Sequence, residues 1–160
     1  MGTRSRIGVM HGDKLKSVYC HWDGYLDHNG RILQDHYDSA KANHLVSLGF
    51  ISSLKENIGE KHPFSPFELP TELRNMTHGE FEAAYGNMTT FYGRDRGESG
   101  VDFTVDQSYD EFLSKDYDYE YYYIMNDGVW YVGVAYDVDG MVPGQLYVLA
   151  EQLAKLTEEV

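Results

Sequence analysis

The chain has a single cysteine, Cys20, four prolines, and no uninterrupted apolar run near the roughly 20 residues that cross a bilayer. One thiol can form no internal disulfide and supplies no Cys-x-x-Cys pair, which excludes a stapled secreted scaffold and a thiol-rich zinc site and points to a reducing cytoplasm. No positively charged leader with an apolar stretch and a small-residue cleavage site opens the sequence, so neither secretion by that route nor membrane association is expected. Positive charge is also scarce: 13 Lys/Arg stand against 26 Asp/Glu. The shortage is concentrated, because residues 101–160 hold 2 Lys/Arg against 13 Asp/Glu while residues 1–100 hold 11 against 13. Such an acidic C-terminal part repels phosphate backbones, which disfavours direct nucleic-acid binding, and can steer a basic protein surface toward it.

What is present is enough to fold. Over 160 residues the chain is 42% hydrophobic and 14% aromatic, which offsets the ordering entropy of one core, and no Pro/Gly/Ser-rich linker divides it. A single domain over residues 1–160 is expected.

Two ribbons stand out. Ser5 to Met10 and Leu15 to Trp22 flank His11-Gly12-Asp13-Lys14 and read as an antiparallel hairpin, with Val18, Cys20 and Trp22 on one face and Trp22 in the core. The run Tyr117 to Met125, then Asn126-Asp127-Gly128, then Val129 to Val134, reads as a second hairpin with a three-residue loop and a bulge. Alternation there puts Tyr117, Tyr119, Tyr121, Tyr123 and Met125 on one face.

Between the ribbons, Leu33, Tyr37, Ala40 and His44 at steps of four, three and four predict one helix from Asn29 or Gly30 to about Leu48, ended by Gly49 in a left-handed conformation. Pro63, Pro66 and Pro70 predict a loop over residues 59–71, with short helices over residues 71–75 and 78–85. Leu146, Leu149, Leu153 and Leu156 after Pro143 give a closing amphipathic helix. The expected class is α+β, an antiparallel sheet built from two β-hairpins with helices packed on one side.

Reactive side chains crowd into Tyr19-Cys20-His21-Trp22-Asp23-Gly24-Tyr25. Cys20 and His21 are neighbours on opposite strand faces and cannot form a local dyad, so the thiol reads as a small buried side chain. His21, Asp23 and Tyr25 can stand at the rim of a pocket as ligand or acid/base groups, although Asp23-Gly24 also suits a plain turn. His21, His28, His36 and His44 are regularly spaced, yet eight-residue steps separate helical ligands by about 12 Å at roughly 1.5 Å per residue. No metal site and no cofactor are expected.

The segment from Tyr92 through Gly93, Arg94, Asp95, Arg96 and Gly97 to Glu98 places two arginines in a glycine-flanked loop. Arginine forks bind carboxylates and phosphates, so Tyr92, Arg94 and Arg96, joined by Arg4, are candidates for an anionic small molecule, with Arg6 one more of the few positive charges available to it, while Asp95 and Glu98 are positioned to neutralise them locally.

The start Met1-Gly2-Thr3-Arg4-Ser5-Arg6, the Trp22-Asp23-Gly24-Tyr25 block, and the segment from Phe91 to Glu98 together resemble a family of uncharacterised small proteins of tailed phages and some bacteria. The resemblance implies a viral protein working in the host-cell cytoplasm and brings no activity with it. A fainter likeness is to N-terminal nucleophile hydrolases, with Thr3 in the nucleophile's place and Met1-Gly2 standing in front of it.

Three functions follow from these readings. The first is a phage accessory protein for host takeover or counter-defence that binds a host or defence protein or a nucleotide-type ligand. The others are a small hydrolase or nucleotide-modifying enzyme, and an acidic mimic of nucleic acid. The sequence does not decide whether the chain is catalytic or how many copies assemble.

Overall fold

The computed structural model of the chain describes residues 3–63 and 77–158. Its architecture is α+β, built on an eight-stranded mixed sheet. In chain order the described elements are β1 (Ser5–His11), β2 (Lys14–Cys20), a π-helical turn (Leu26–Gly30), α1 (Arg31–His36), α2 (Ser39–Ser47), β3 (Ile51–Ser53) and α3 (His78–Tyr85). There follow β4 (Thr90–Phe91), α4 (Tyr92–Arg96), β5 (Thr104–Asp106), α5 (Tyr109–Ser114), β6 (Tyr121–Asn126), β7 (Val129–Val134), β8 (Tyr147–Val148) and α6 (Leu149–Glu158).

The sheet order is β4-β3-β2-β1-β6-β7-β8, with β5 paired to β2 beside β3. β1 and β2 pair antiparallel around a two-residue turn whose Gly12 has φ 63°. β6 and β7 do the same, with Asn126 opposite Val129, so the connection is two residues and not the three-residue bulged loop expected. Asp127 and Gly128 both have positive φ, 53° and 82°, the combination whose twist matches a right-twisted ribbon.

The sheet is not purely antiparallel. β1 runs parallel to β6, with Ser5 opposite Tyr121 and Val9 opposite Met125, and β2 meets β3 in parallel as well. As a central strand β6 is buried on both sides, which is why Tyr121 to Met125 forms a continuous apolar run.

Alternation sends Tyr121, Tyr123 and Met125 into one core with Ile7, Val9, Val18, Trp130 and Val132, beneath α1, α2 and α6. Tyr122 and Ile124 enter a second core with Leu15 and Phe112. Phe112 belongs to α5, so helices lie on both faces of the sheet rather than on one side.

Other expectations shift for local reasons. The single helix over residues 29–48 is two, because Tyr37 is extended at φ -122° and the Asp38 side chain caps α2 through the Lys41 amide. The Tyr37 carbonyl instead accepts the Trp130 indole N–H at 2.9 Å. The break rotates the stripe, so Ala42, Leu45 and Val46 are buried while Ala40 and His44 are exposed. Gly49 ends the segment at φ 92°, as expected.

Trp22 is 43% exposed and not in the core. β2 has ended at Cys20, and the consecutive amides of His21 and Trp22 donate to the consecutive carbonyls of Ile51 and Ser52, so strand alternation no longer applies. Tyr117 and Tyr119 pack with the Phe112 core, opposite Tyr121, because β6 begins only at Tyr121. α6 begins at Leu149 rather than near Pro143, and Leu146 is exposed ahead of it. α3 spans His78–Tyr85 as expected, started by a Thr77–Glu80 capping box. Residues 71–75 and most of the 59–71 loop lie outside the described residues.

Candidate ligand-binding cleft

On the sheet face that carries α5, a cleft of about 470 Å³ opens over the first two strands. Its floor is Arg6 of β1. Strand alternation points Ile7 and Val9 into the large core and therefore turns Arg6 and Gly8 the other way, beside Ser17 of β2.

The Arg6 residue is only 3% exposed, and its guanidinium is held from two sides. Nε donates to Ser17 Oγ at 3.2 Å, and Nη2 donates to the Ser17 carbonyl at 3.2 Å and to Thr104 Oγ1 at 2.6 Å. The Nη1 amino group makes no hydrogen bond to any described residue, and Arg6 lines the cleft. Among the described residues no carboxylate pairs with it directly. Burial pushes its pKa down to about 10, partly opposed by Tyr117 and Asp106, so it remains charged at neutral pH.

The walls are aromatic. Tyr19 of β2, Phe50 before β3, Tyr92 at the start of α4 and Tyr117 before β6 surround the opening. The Arg6 guanidinium lies 3.9 Å from the Tyr117 ring centre and 5.5 Å from that of Phe50. Backbone pairing ties these segments together: the Phe50 amide donates to the Val101 carbonyl at 2.8 Å, the Tyr92 amide to the Phe50 carbonyl at 3.2 Å, and the Glu98 amide to the Tyr92 carbonyl at 3.1 Å. A Cβ on Gly49 would sit 2.5 Å from the Val101 carbonyl oxygen, so this closure requires glycine there as well as positive φ. Glu98, Asp116 and Asp118 also line the opening, giving it three carboxylates.

One sequence candidate, Tyr92, lines this cleft, and two more, Arg4 and His21, contact its lining residues. Arg4 Nε lies 3.0 Å from the Tyr19 hydroxyl and 3.3 Å from Asp118 Oδ2. The Tyr19 hydroxyl is in turn 2.6 Å from His21 Nδ1. Desolvation first and Arg4 second pull the His21 pKa down, which favours the neutral ring beside that hydroxyl. Tyr92 forms another wall.

The remaining candidates lie elsewhere. Asp23 adopts φ 56° and its carboxylate is 4.0 Å from His28 Nε2, beside the Tyr25 ring. The turn they occupy is packed against β1: the Gly24 amide donates to the Thr3 carbonyl at 2.7 Å, and its carbonyl accepts from the Tyr123 hydroxyl at 2.6 Å. A Cβ on Gly24 would lie 2.7 Å from Ser5 Cβ, so close packing accounts for the glycine.

Arg94 faces inward. Its Nη1 donates to the Ile58 and Gly59 carbonyls, Nη2 donates to that of Thr89, and Nε and Nη2 clasp Asp95 at 2.9 and 3.1 Å. Asp95 also accepts from the Phe91 and His62 amides at 2.7 and 3.0 Å. Arg96 Nη1 stands 3.6 Å from the Glu98 carboxylate that borders the cleft.

Sequence reasoning passed over Phe50 and Thr104, read Tyr117 as part of a tyrosine row packed in the sheet, and counted Arg6 only as a charge. The signal for Arg6 was available in β1, where a cation alternates with Ile7 and Val9 in a strand buried on both faces.

Chemically, the cleft offers a buried guanidinium, aromatic rings, hydroxyls and carboxylates, and the thiol of the chain lies away from it. Cys20 is fully buried on the opposite sheet face, contacted by Asn29 Nδ2 at 3.4 Å, and burial pushes its thiol up to about 12. Among the described residues no three His, Cys, Asp or Glu side chains gather in a metal-binding group, and no helix is long and apolar enough to cross a membrane. A larger depression of about 730 Å³ lies between the α1–α2 junction and the β6–β7 turn, but the acids and histidine around it are exposed helix residues, and His36 already faces Glu56 at 3.4 Å. Compared with protein-family models, curated proteins and solved structures, the chain matches none of them.

Proposed function

We propose that this chain is a non-catalytic binding protein whose working surface is the aromatic cleft over Arg6. The observation that carries the reading is a buried guanidinium with two nitrogens bonded inward and a third left toward the cleft. Taking an arginine out of water costs several kcal/mol unless its donors and charge are met, and an apolar side chain of similar volume often suits such a position better. A retained, half-satisfied cation therefore favours a ligand that completes it.

The resemblance to phage proteins supplies a setting. Within it, the chain is an accessory protein that sequesters a small host or defence molecule in the host cytoplasm. The acidic segment over residues 101–160 favours a second reading, a basic host-protein surface docked at the same rim. The enzyme reading on His21, Asp23 and Tyr25 is weaker, since His21 bonds toward the cleft while Asp23 and Tyr25 group with His28.

The test is to purify the protein natively from expressing bacteria, denature it, and identify released small molecules by mass spectrometry beside an Arg6→Met variant. A near-stoichiometric molecule released by the wild type and absent from the folded variant supports the reading. An empty wild-type protein that instead retains a stoichiometric protein partner favours the docking alternative.

A further inference from the structure

Resting on that binding reading, we propose that the ligand is an unphosphorylated, oxo-bearing nucleobase or nucleoside, with its ring between the tyrosines, its carbonyl on Arg6 Nη1 and its ring N–H directed to the carboxylates of the opening.

The floor selects the acceptor. A carboxylate or phosphate is best gripped by a guanidinium fork, two nitrogens against two oxygens. Here Nε and Nη2 are given to Ser17 and Thr104, and Thr104 Oγ1 is itself taken up by Arg6, by Tyr117 at 3.3 Å and by the Ser17 carbonyl at 3.4 Å. One amino group with its hydrogens unused suits a single carbonyl oxygen. A ligand that is only a cation is disfavoured because the aromatic walls already hold the Arg6 cation, 3.9 Å from the Tyr117 ring centre.

The walls select the body of the ligand. Tyr19, Phe50 and Tyr92 line the opening beside Tyr117, whose ring carries the Arg6 guanidinium, and flat heterocycles stack on aromatic side chains with little dependence on ring identity. Discrimination must therefore come from the edges.

The carboxylates select against phosphate and for donors. Glu98, Asp116 and Asp118 border the cleft, Asp118 beside Arg4 and Glu98 beside Arg96, while the buried cation Arg6 sits at its floor; the three acids outnumber the two rim arginines. A nucleotide would bring its phosphate charge against these groups, whereas the N–H beside the carbonyl of guanine, hypoxanthine or uracil finds an acceptor there. Adenine offers Arg6 a ring nitrogen with one lone pair in place of a carbonyl oxygen with two, and an exocyclic amino group in place of a ring N–H, so the two contacts are displaced from where an oxo-base makes them.

The experiment is isothermal titration calorimetry of the full chain with guanosine, inosine, uridine, adenosine and guanosine monophosphate. At least one oxo-nucleoside is expected to bind, adenosine at least ten-fold more weakly, and the monophosphate more weakly than guanosine. Arg6→Met and, as a second and more exposed site, Tyr92→Leu are each expected to lower oxo-nucleoside affinity at least ten-fold, with circular dichroism reporting the folded state. Asp118→Asn is expected to narrow the gap between guanosine and its monophosphate. Equal binding of adenosine, tighter binding of the monophosphate, or no oxo-nucleoside binding at millimolar concentration overturns the assignment. If a different small molecule is released from the native protein and lost in Arg6→Met, the ring assignment fails while the binding reading stands; if none is released and no nucleoside binds, both fail.

Discussion

The Arg6 guanidinium lies 3.9 Å from the centre of the Tyr117 ring, and the hydroxyl of that tyrosine donates to Asp106 Oδ2 at 2.9 Å. Tyr117 thus joins the floor of the cleft to a carboxylate with no exposed surface. The other oxygen, Asp106 Oδ1, has no hydrogen-bond partner among the described residues, although Lys115 Nζ stands 3.4 Å away. Tyr117→Phe keeps the ring over Arg6 and removes the hydroxyl bonded to Asp106. The expected loss is about 1–3 kcal/mol of stability, the usual cost of leaving a buried polar group unmet. Urea denaturation measures it, and a loss near zero would show that Lys115 alone satisfies the acid.

Arg94 gives the contrasting case. Its guanidinium serves three carbonyls and clasps Asp95, whose side chain is fully buried. Arg94→Ala leaves that charge in the interior with the Phe91 and His62 amides but without its arginine, and removing one partner of such a pair costs about 3–5 kcal/mol. For a chain of this size that corresponds to a fall in Tm on the order of 10 °C. Thermal unfolding checks it: an unchanged Tm would return Arg94 to the pool of ligand-binding arginines.

Arg6 and Arg94 also mark how far the sequence could be read. The α+β class, the two turns at Gly12 and Gly128 and the full span of α3 follow from local patterns, because turn glycines, a capping box and alternation act over a few residues. The parallel β1–β6 contact was hidden, since nothing local in Ser5–His11 names its neighbour across more than a hundred residues. Helices on both faces were hidden with it, although the unbroken Tyr121–Tyr122–Tyr123 run is what a strand covered on both sides requires.

The candidate site was legible only in part. Arg4, His21 and Tyr92 come together because β1, β2 and the α4 segment converge there, and no spacing rule announces that convergence. Asp95 beside Arg94 did signal local pairing, and that pairing is what forms. Phe50 lies outside any motif and Tyr117 sits in a tyrosine row that reads as strand, so only tertiary structure shows them as walls of one cleft.

Gly133 of β7 faces Tyr122 of β6 across the ladder, and a Cβ there would overlap the phenol ring. The ring cannot swing away freely, because its hydroxyl is 2.6 Å from that of Tyr109, which also donates to the Gly144 carbonyl at 3.0 Å. Gly133→Ala is therefore expected to cost at least about 1–3 kcal/mol, as overpacking a filled core does. Gly128→Ala has open space around the new methyl and carries only the strain of φ 82°, about 1 kcal/mol. Chemical denaturation of the two variants side by side checks the order, and a larger loss at Gly128 would contradict it.

Alkaline titration tests the large core as a whole. Burial pushes Cys20 up to about 12 from an ordinary value near 9, and Tyr37 up to about 12 from near 10. Tyr123 is displaced upward too, by burial first and then by Tyr121 and Cys20. In each group the folded state holds its proton at a pH where the unfolded chain has released it. The stabilising contribution is therefore complete below the unfolded values and declines as pH rises from about 9 toward 12. A tenfold change in proton affinity corresponds to about 1.4 kcal/mol, so Tyr37 alone can remove on the order of 3 kcal/mol across that window. Exposed tyrosines such as Tyr25 and Tyr136 ionise first in the folded protein, and the remaining rise in tyrosinate absorbance should coincide with loss of far-ultraviolet dichroism, because the buried phenols reach base only by unfolding. Cys20 should stay inert to a thiol reagent at pH 8 and react once denaturant is added. A thiol that reacts in the folded protein at the rate of a free cysteine would place Cys20 outside the core and remove the argument against a nucleophile.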